Sequence, residues 1–284
     1  MLSELSQRLR PLSETPDLDA SVLLAAVAGR TRAWVLAHTE LALTPNQVQG
    51  LESALRRLER GEALPYVLGE WEFFGLRFLV TNDCLIPRPE TECLVERALG
   101  WLRATPSATT ALDVGTGSGC IAVGLAVNTA RLRIMATEIS KPALEVARRN
   151  ARRHSVDDRI TFVECDLLPR DEAQSEPGNA GPRFDLLCAN LPYIPSAELR
   201  RLPVFPREPT LALDGGEDGL EPLRRLLSLA PPWLRPGGKM LLEVEATHGE
   251  QARLLAQAAF PGSEIDMIKD LAGRDRVLDI KLPG

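Results

Sequence analysis

Residues 111–119 read Ala-Leu-Asp-Val-Gly-Thr-Gly-Ser-Gly, and this stretch decides the fold. A short apolar strand leads into a glycine-rich turn, and a helix-like run, Cys120–Ala126, follows directly. Glycine lets the backbone turn sharply and approach a ligand where a Cβ atom would clash. The start of the following helix offers unpaired N–H groups and the positive end of the helix dipole. This order of strand, turn and helix predicts a site for a nucleotide-type cofactor in an α/β domain.

The spacing of the glycines narrows the type of cofactor. A dinucleotide fingerprint needs its third glycine three positions after the second, and that position is Cys120. The loop instead has the form G-x-G-x-G, with Asp113 ahead of it and Glu138 at the end of the next apolar strand. This pattern resembles the cofactor loop of class I S-adenosylmethionine methyltransferases. A tight glycine turn in another α/β domain is the alternative until a second motif is found.

Length and composition exclude several classes of protein. The chain has 284 residues, enough for two domains, and 44% hydrophobic and 25% charged residues are typical of a globular protein. Its net charge of −6 argues against a protein that binds mainly nucleic-acid phosphates. The basic cluster Arg148, Arg149, Arg152 and Arg153 is expected to be the solvated face of a helix. We therefore expect nucleic acid to be an unlikely partner.

The expected location is the cytoplasm. No apolar run approaches the ~20 residues that span a membrane, and the N-terminus lacks the pattern of a signal peptide. The five cysteines form no C-x-x-C pair, which favours reduced thiols over disulfides or zinc. The three histidines are far apart and give no spacing typical of metal ligands. We accordingly expect no metal and no membrane contact.

The chain is predicted to form a helical domain at 1–75, a linker with an entry helix at 76–108, and a catalytic domain at 109–284. Helices are expected at Met1–Leu12 and Asp17–Ala28, and a third should begin with a capping box at Thr44 and end at Gly61. The alternating aromatic run Leu64–Val80 predicts a β-hairpin that links the domains. The helical domain carries no catalytic constellation, so its composition is compatible with substrate recognition or with simple packing.

Apolar runs alternate with helical ones beyond residue 109, which predicts a mostly parallel seven-stranded sheet with helices on both faces. The last two runs are joined by a short polar connection and should form an antiparallel hairpin at one edge. Residues 174–182 should form a polar surface loop. The expected strands are Thr110–Val114, Leu132–Ile139, Ile160–Cys165, Phe184–Asn190, Met240–Glu245, Ile265–Ile268 and Val277–Leu282.

Polar groups stand where the first four of these strands end. In an open α/β sheet, ligands bind beyond the carboxyl ends of the strands where the strand order reverses. Glu138 can accept both hydroxyl protons of a ribose, and Asp166 can accept from an adenine amino group while Leu167 packs on the ring. The candidate cofactor-binding residues are therefore Asp113, Gly115, Thr116, Gly117, Ser118, Gly119, Glu138, Asp166, Leu167 and Asn190.

A second motif, Asn190-Leu191-Pro192-Tyr193, ends the fourth strand. A nitrogen bound to an sp² carbon is a poor nucleophile because its lone pair is delocalised, so a catalyst must hold both of its N–H bonds. The Asn190 side-chain oxygen and the Leu191 carbonyl supply two adjacent acceptors. Pro192 fixes the turn and Tyr193 offers a flat surface to a planar substrate. These four residues are the candidate substrate site, with Asn190, Pro192 and Tyr193 as catalytic residues.

The run Leu85-Ile-Pro-Arg-Pro-Glu-Thr-Glu92 precedes the sheet. Two prolines hold Arg88 in an extended segment, and Glu90 favours the first turn of the helix that follows. From the residues alone this run is either a helix start or part of a site. Arg88 and Glu90 are further candidate substrate-binding residues.

Taken together, these motifs resemble the bacterial release-factor glutamine methyltransferases, the PrmC or HemK family, over nearly the whole chain. The resemblance implies S-adenosylmethionine as methyl donor, S-adenosylhomocysteine as product, and N5-methylation of the glutamine in the Gly-Gly-Gln loop of peptide-chain release factors. It also implies that the N-terminal helices contact the release factor. The matching stretches are Pro65-Tyr66, Gly69, Glu72-Phe73, Leu85–Glu92, Asp113–Gly119, Asn190–Tyr193, Glu208-Pro209, Ala212-Leu213, Gly273 and Asp275-Arg276-Val277.

One departure from the family pattern keeps an alternative open. The family usually has proline where this chain has Leu191, and the leucine form also resembles adenine-N6 dimethyltransferases of ribosomal RNA. The alternative is thus an adenine-N6 methyltransferase acting on ribosomal RNA or DNA. The acidic charge, the helical domain ahead of the catalytic one, and the run at 85–92 argue against it. No general base is identifiable from the sequence.

Overall fold

The computed structural model describes residues 1–38, 40–169, 183–205 and 207–284. The chain forms two compact units, Met1–Trp71 and Glu72–Gly284. The first unit ends shortly before residue 75, where the sequence suggested a boundary. The predicted linker and entry helix at 76–108 lie wholly within the second unit. The polar loop predicted at 174–182 lies outside the described residues.

The first unit consists of helices around a leucine-rich core. The predicted capping box is present, because the Thr44 side chain accepts from the Gln47 N–H and the Gln47 side chain accepts from the Thr44 N–H. A short helix at Arg32–Ala37, not expected from the sequence, begins where the Thr31 hydroxyl accepts from the Trp34 N–H. The helices are α1 (Leu2–Leu9), α2 (Pro16–Ala28), α3 (Arg32–Ala37), α4 (Pro45–Glu59) and α5 (Leu64–Leu68).

The predicted hairpin at Leu64–Val80 is wrong over its first five residues, which form α5. Pro65 stands in the first turn, where its missing N–H costs nothing, and Gly69 ends the helix in the left-handed conformation. The hairpin itself is shorter, with β1 at Glu70–Phe73 and β2 at Leu76–Leu79. Phe74 and Gly75 both have positive φ, as a tight two-residue hairpin turn of this kind requires.

The second unit contains a seven-stranded sheet within the described residues, in the order β5-β4-β3-β6-β7-β9-β8. β9 runs opposite to the other six strands, so the predicted mostly parallel sheet with a terminal antiparallel hairpin is confirmed. The elements are α6 (Pro89–Ala104), β3 (Thr110–Val114), α7 (Cys120–Asn128), β4 (Arg133–Glu138), α8 (Lys141–Arg153), β5 (Ile160–Glu164), β6 (Phe184–Ala189), α9 (Ser196–Leu199), α10 (Glu221–Leu229), β7 (Leu234–Glu243), α11 (Gly249–Ala259), β8 (Glu264–Lys269) and β9 (Asp275–Lys281).

The strands are apolar on both faces because helices cover both. Successive side chains of a strand point to opposite faces, and Ala111 belongs to a core with α6 and α7 while Leu112 belongs to a core with α10 and α11. The strand order reverses between β3 and β6, where Val114 pairs with Ala189. The two motifs found in the sequence follow these two paired residues, so the sheet places them side by side. Within the described ranges, no helix has both the length and the apolar character to span a bilayer.

Candidate active site

A cavity of about 850 Å³ lies at the carboxyl ends of the sheet strands in the second unit. It is the kind of crevice that the reversal of strand order creates in α/β sheets. The predicted site residues that line it are Arg88, Gly115, Thr116, Gly117, Ser118, Glu138, Asp166, Leu167, Asn190, Leu191 and Pro192. Four predicted residues do not line it, namely Glu90, Asp113, Gly119 and Tyr193. The structure therefore brings most of the predicted site residues together around one cavity and places these four residues outside its lining.

The glycine loop is pressed between neighbouring elements at both of its ends. A Cβ atom on Gly115 would lie 3.0 Å from Leu191 Cδ2, and one on Gly119 would lie 3.1 Å from Ala147 Cβ on α8. Both glycines also have positive φ, of 71° and 83°, which side-chain-bearing residues rarely adopt. Gly119 thus allows the loop to pack closely against α8, and it does not line the cavity.

Asp113 lies behind the loop and is fully buried. Its Oδ2 accepts from the Thr116 hydroxyl at 2.6 Å and from the Ala122 N–H at 3.1 Å, so it joins the loop to the first turn of α7. Burial raises the pKa of this carboxyl to about 7. The prediction that Asp113 binds the cofactor is not supported by this position, since a central-strand side chain points into the core and holds the loop from beneath.

Glu138 ends β4 and lines the cavity with 9% of its surface exposed. Its Oε2 accepts from the Gly117 N–H and its Oε1 accepts from the Ser140 N–H, both at 2.9 Å. A carboxylate oxygen has more than one acceptor site, so each oxygen retains capacity for a hydroxyl donor. This arrangement fits a ribose diol. Through its bond from Gly117, Glu138 also holds the middle of the glycine loop.

Asp166 and Leu167 form the next part of the cavity wall. Arg225 on α10 donates to Asp166 Oδ2 at 2.5 Å, a partner that the sequence did not indicate. Leu167 has a φ of 60°, unusual for a residue with a bulky side chain. The Thr137 hydroxyl donates to the Leu167 carbonyl at 2.7 Å and helps to hold this conformation. The wall is therefore a fixed surface on which a planar ring can pack.

Asn150 on α8 supports the site from outside the cavity, and the sequence did not indicate this role. It is fully buried, and its Nδ2 donates to the Ser118 carbonyl at 2.8 Å and to the Leu79 carbonyl at 2.9 Å. Its Oδ1 accepts from the Leu79 N–H at 2.7 Å. One side chain thus connects the glycine loop to β2 of the hairpin. An asparagine within an arginine-rich helix gives no sequence signal of this role, because its partners are 32 and 71 residues away.

The second motif begins at the end of β6, and its first three residues line the cavity. Asn190 Nδ2 donates to the Thr91 hydroxyl oxygen at 3.0 Å. Leu191 is 8% exposed and belongs to the core on the α10 and α11 face, where it meets the glycine loop at Gly115. The motif and the loop are therefore in direct contact.

Tyr193 occupies a different position from the one predicted. It lines a small separate pocket together with Glu243 and His248, and burial raises the pKa of its phenol to about 12. The backbone after it is fixed, because the Ile194 N–H donates to the Leu213 carbonyl and the Gly215 N–H donates to the Ile194 carbonyl. Tyr193 anchors the motif from behind instead of offering its ring to the large cavity.

Arg88 is held by Glu208, to which it donates a charge-assisted hydrogen bond. Glu208 is 8% exposed and also accepts from the Ile86 N–H at 3.1 Å. Both glutamate oxygens thus fix the extended segment ahead of α6. Arg88 lines the cavity as predicted, whereas Glu90 on the first turn of α6 does not.

Two family models match the chain, the PrmC N-terminal domain over residues 1–69 and a methyltransferase domain over residues 106–261. A release factor glutamine methyltransferase from Moorella thermoacetica is 42% identical over 264 residues, covering 93% of this chain and 90% of that protein. A protein of the same name from Bordetella pertussis is 40% identical, covering 92% of this chain and 93% of its own length. The chain belongs to the release factor glutamine methyltransferase family. The predicted family is confirmed.

Solved structures of methyltransferases are similar to this chain in fold. A methyltransferase from Pyrococcus furiosus has a TM-score of 0.53 at 21% identity, covering 82% of this chain and 99% of that chain. The human Mettl16 catalytic domain in complex with MAT2A 3′UTR hairpin 6 also has a TM-score of 0.53, at 18% identity, covering 86% of this chain and 83% of that chain. This member of the release factor glutamine methyltransferase family has the class I methyltransferase fold that was predicted from its sequence.

Proposed function

We propose that the protein transfers a methyl group from S-adenosylmethionine to the side-chain N5 of the glutamine in the Gly-Gly-Gln loop of peptide-chain release factors. One observation carries this proposal beyond family membership. The pairing of Val114 with Ala189 brings the glycine loop against Asn190 and Leu191, so a cofactor loop and a pair of amide acceptors share one cavity.

The cofactor part of the cavity is assigned to the glycine loop and the wall beside it. Glu138 would accept from the ribose hydroxyls, Asp166 from the adenine amino group, and Leu167 would pack on the ring. The Cβ-free backbone at Gly115 and the remaining acceptor capacity of Glu138 support this fit. When bound, S-adenosylmethionine supplies an electrophilic methyl group on a sulfonium sulfur, and S-adenosylhomocysteine remains after transfer.

The substrate part of the cavity is assigned to the second motif. The Asn190 side-chain oxygen and the Leu191 carbonyl would each accept one N–H of the glutamine amide, which turns the nitrogen lone pair toward the methyl group. Both acceptors are held before the substrate arrives, because Asn190 Nδ2 donates to the Thr91 hydroxyl oxygen, Leu191 is packed in the core and Pro192 restricts the turn. The proton that the nitrogen gives up after transfer goes to solvent.

The roles of the domains belong to the same proposal. Residues 1–75 recognise the release factor, residues 76–108 form the linker, with the second hairpin strand and the entry helix, and residues 109–284 perform catalysis. Deleting the first unit, Met1–Trp71, should leave cofactor affinity nearly unchanged and methylation of intact release factor strongly reduced. The reason is that, among the described residues, all that line the large cavity lie in the second unit. Full activity of the truncated protein on intact release factor would remove the recognition role.

A cytoplasmic location is also part of the proposal. All five cysteines lie in the described ranges and none of these is disulfide-bonded, as expected in a reducing compartment.

The proposal is tested by incubating the protein with methyl-labelled S-adenosylmethionine and, in parallel, purified release factor, ribosomal RNA and DNA. Label should enter the release factor alone, and a release factor with the glutamine of its Gly-Gly-Gln loop replaced by alanine should take up none. The net charge of −6 supports the protein substrate over the adenine-N6 alternative. Label in RNA or DNA, with none in release factor, would favour that alternative.

A further inference from the structure

We propose that Thr91 is a positioning residue that determines which end of the Asn190 amide faces the substrate, and that Glu243 determines the direction of the Thr91 hydroxyl. This inference rests on the proposed function. Thr91 stands in the first turn of α6, is 2% exposed, and accepts from Asn190 Nδ2 at 3.0 Å. It therefore occupies one end of the amide and leaves Asn190 Oδ1 for the substrate.

The orientation of Asn190 matters because the two ends of its amide have nearly the same shape and opposite hydrogen-bonding character. Oδ1 toward the substrate accepts a glutamine N–H, whereas Nδ2 toward the substrate would place donor against donor. Thr91 alone does not select between these states, since a hydroxyl group can donate to Oδ1 as readily as it can accept from Nδ2. A third group is needed to take the hydroxyl proton.

Glu243, the last residue of β7, supplies that group. It is 4% exposed, and both of its oxygens are buried without a hydrogen bond from the described residues. The Thr91 hydroxyl is close enough to lower the pKa of this carboxyl, although the pair does not meet hydrogen-bond geometry. An ionised carboxylate can only accept, so its buried and unpaired oxygens favour the rotamer in which the Thr91 hydroxyl proton points toward them and the Thr91 oxygen accepts from Asn190.

The surroundings of Glu243 give this arrangement a dependence on pH. Burial raises the pKa of the carboxyl to about 7, opposed by Arg276 on β9 and Arg88 before α6, and reinforced by Glu90. Tyr193 also faces it with a phenol that stays protonated, because burial raises its pKa to about 12. His248 and Glu245 line the same small pocket as Glu243 and Tyr193, so the pH profile is read from the difference between wild type and Glu243→Gln. A protonated Glu243 can donate to Thr91, and the hydroxyl is then free to donate to Asn190 Oδ1. Turnover should consequently fall on acidification through about pH 7.

The first test compares Thr91→Val, which keeps the shape and removes the hydroxyl, with Thr91→Ser, which keeps the hydroxyl. With release factor as substrate, Thr91→Val should lower kcat by at least about tenfold. This loss is smaller than the roughly 10²-fold expected when a preorganised contact to the substrate itself is removed. The Kd for S-adenosylmethionine, measured by calorimetry, should change little. Thr91→Ser should retain most of the activity. Thr129→Val, at a buried threonine outside the cavity, is the matched control and should behave as wild type. Wild-type kcat in Thr91→Val, or an equal loss in Thr91→Ser, would overturn the inference.

The second test adds an exchange measurement that does not depend on the substrate, and a kcat profile against pH that uses release factor. In protein labelled with ¹⁵N-asparagine, the Asn190 side-chain NH₂ signal, assigned from Asn190→Ala, should exchange slowly with solvent in wild type and faster in Thr91→Val. Glu243→Gln should flatten the acid limb of the kcat profile and lower kcat at pH 8. Unchanged exchange in Thr91→Val, or an unchanged acid limb in Glu243→Gln, contradicts the positioning role. A wild-type protein that ignores release factor but shows the exchange difference would instead refute the proposed function and leave the contact intact.

Discussion

Replacing Glu138 with alanine removes the acid that serves both the glycine loop and the proposed ribose site. In the structure its two oxygens accept from the Gly117 and Ser140 N–H groups, and each oxygen has capacity for a ribose hydroxyl as well. A hydrogen bond to a charged group contributes roughly 1.5 to 3 kcal/mol, so two lost ribose bonds amount to roughly 3 to 6 kcal/mol. Each 1.4 kcal/mol is about tenfold in affinity, which gives a loss of roughly 10²- to 10⁴-fold.

Water entering the vacated site would recover part of this free energy, so a tenfold loss is the smallest result compatible with the assignment. Affinity for S-adenosylmethionine should be measured by calorimetry, and thermal unfolding should be followed to separate a damaged loop from an unfolded protein. Glu164→Ala is a suitable control, because Glu164 pairs with Glu138 in the register of β5 and β4 but is exposed. Unchanged affinity in Glu138→Ala would show that this acid only caps the following helix.

Three further predictions follow from the contacts around the site. Asn150→Ala should lower the free energy of unfolding by about 2 to 3 kcal/mol in urea titrations, because it leaves the buried Ser118 carbonyl and two part-buried Leu79 groups without their partner. A loss below about 1 kcal/mol would contradict the described contacts. Gly115→Ala should weaken cofactor binding, because the added Cβ meets the Leu191 side chain. Leu191→Pro should lower the free energy of unfolding by about 1 to 3 kcal/mol through lost packing, while keeping the backbone acceptor and much of the activity. A larger loss of calorimetric cofactor affinity in Leu191→Pro than in Gly115→Ala would refute the packing argument. Burial raises the pKa of Asp113 and Glu243 to about 7 from ordinary values of 3.8 and 4.5, so the folded state keeps protons that the unfolded chain releases near pH 4. Their contribution to stability should fall as pH rises from about 4 to about 7 and then level off. Urea titrations of wild type, Asp113→Asn and Glu243→Gln measure this contribution as the difference between wild type and each variant. A contribution that rises over this range would contradict the prediction.

The fold was predictable where local patterns and topology agree. Seven apolar runs separated by helical ones are compatible with few arrangements, and the glycine turn identified the first strand. The error at Leu64–Leu68 has a local cause, since Pro-Tyr-Val-Leu has the composition of a strand. Its helical state depends on a proline in the first turn and a left-handed Gly69, which override the aromatic and β-branched residues.

The site was predictable where a residue acts at the end of its own strand. Glu138 and Asn190 both line the cavity, as their positions in the sequence suggest, because the carboxyl ends of parallel strands meet at one edge of the sheet. Asp113 and Tyr193 were misplaced because the sequence does not give the direction of a side chain relative to the core. The supporting contacts of Asn150 and Arg225 were missed because they join elements far apart in the chain.

The most direct test of the proposed function is to localise the added methyl group by peptide mass spectrometry of release factor treated with wild-type protein or Asn190→Ala. The wild type should add one methyl group to the glutamine of the Gly-Gly-Gln loop. Asn190→Ala should add it about 10²- to 10³-fold more slowly, because one of the two preorganised acceptors is gone, with cofactor affinity changed far less. A methyl group on another residue of the release factor, or a wild-type rate in Asn190→Ala, would contradict the substrate or the mechanism proposed for this cavity.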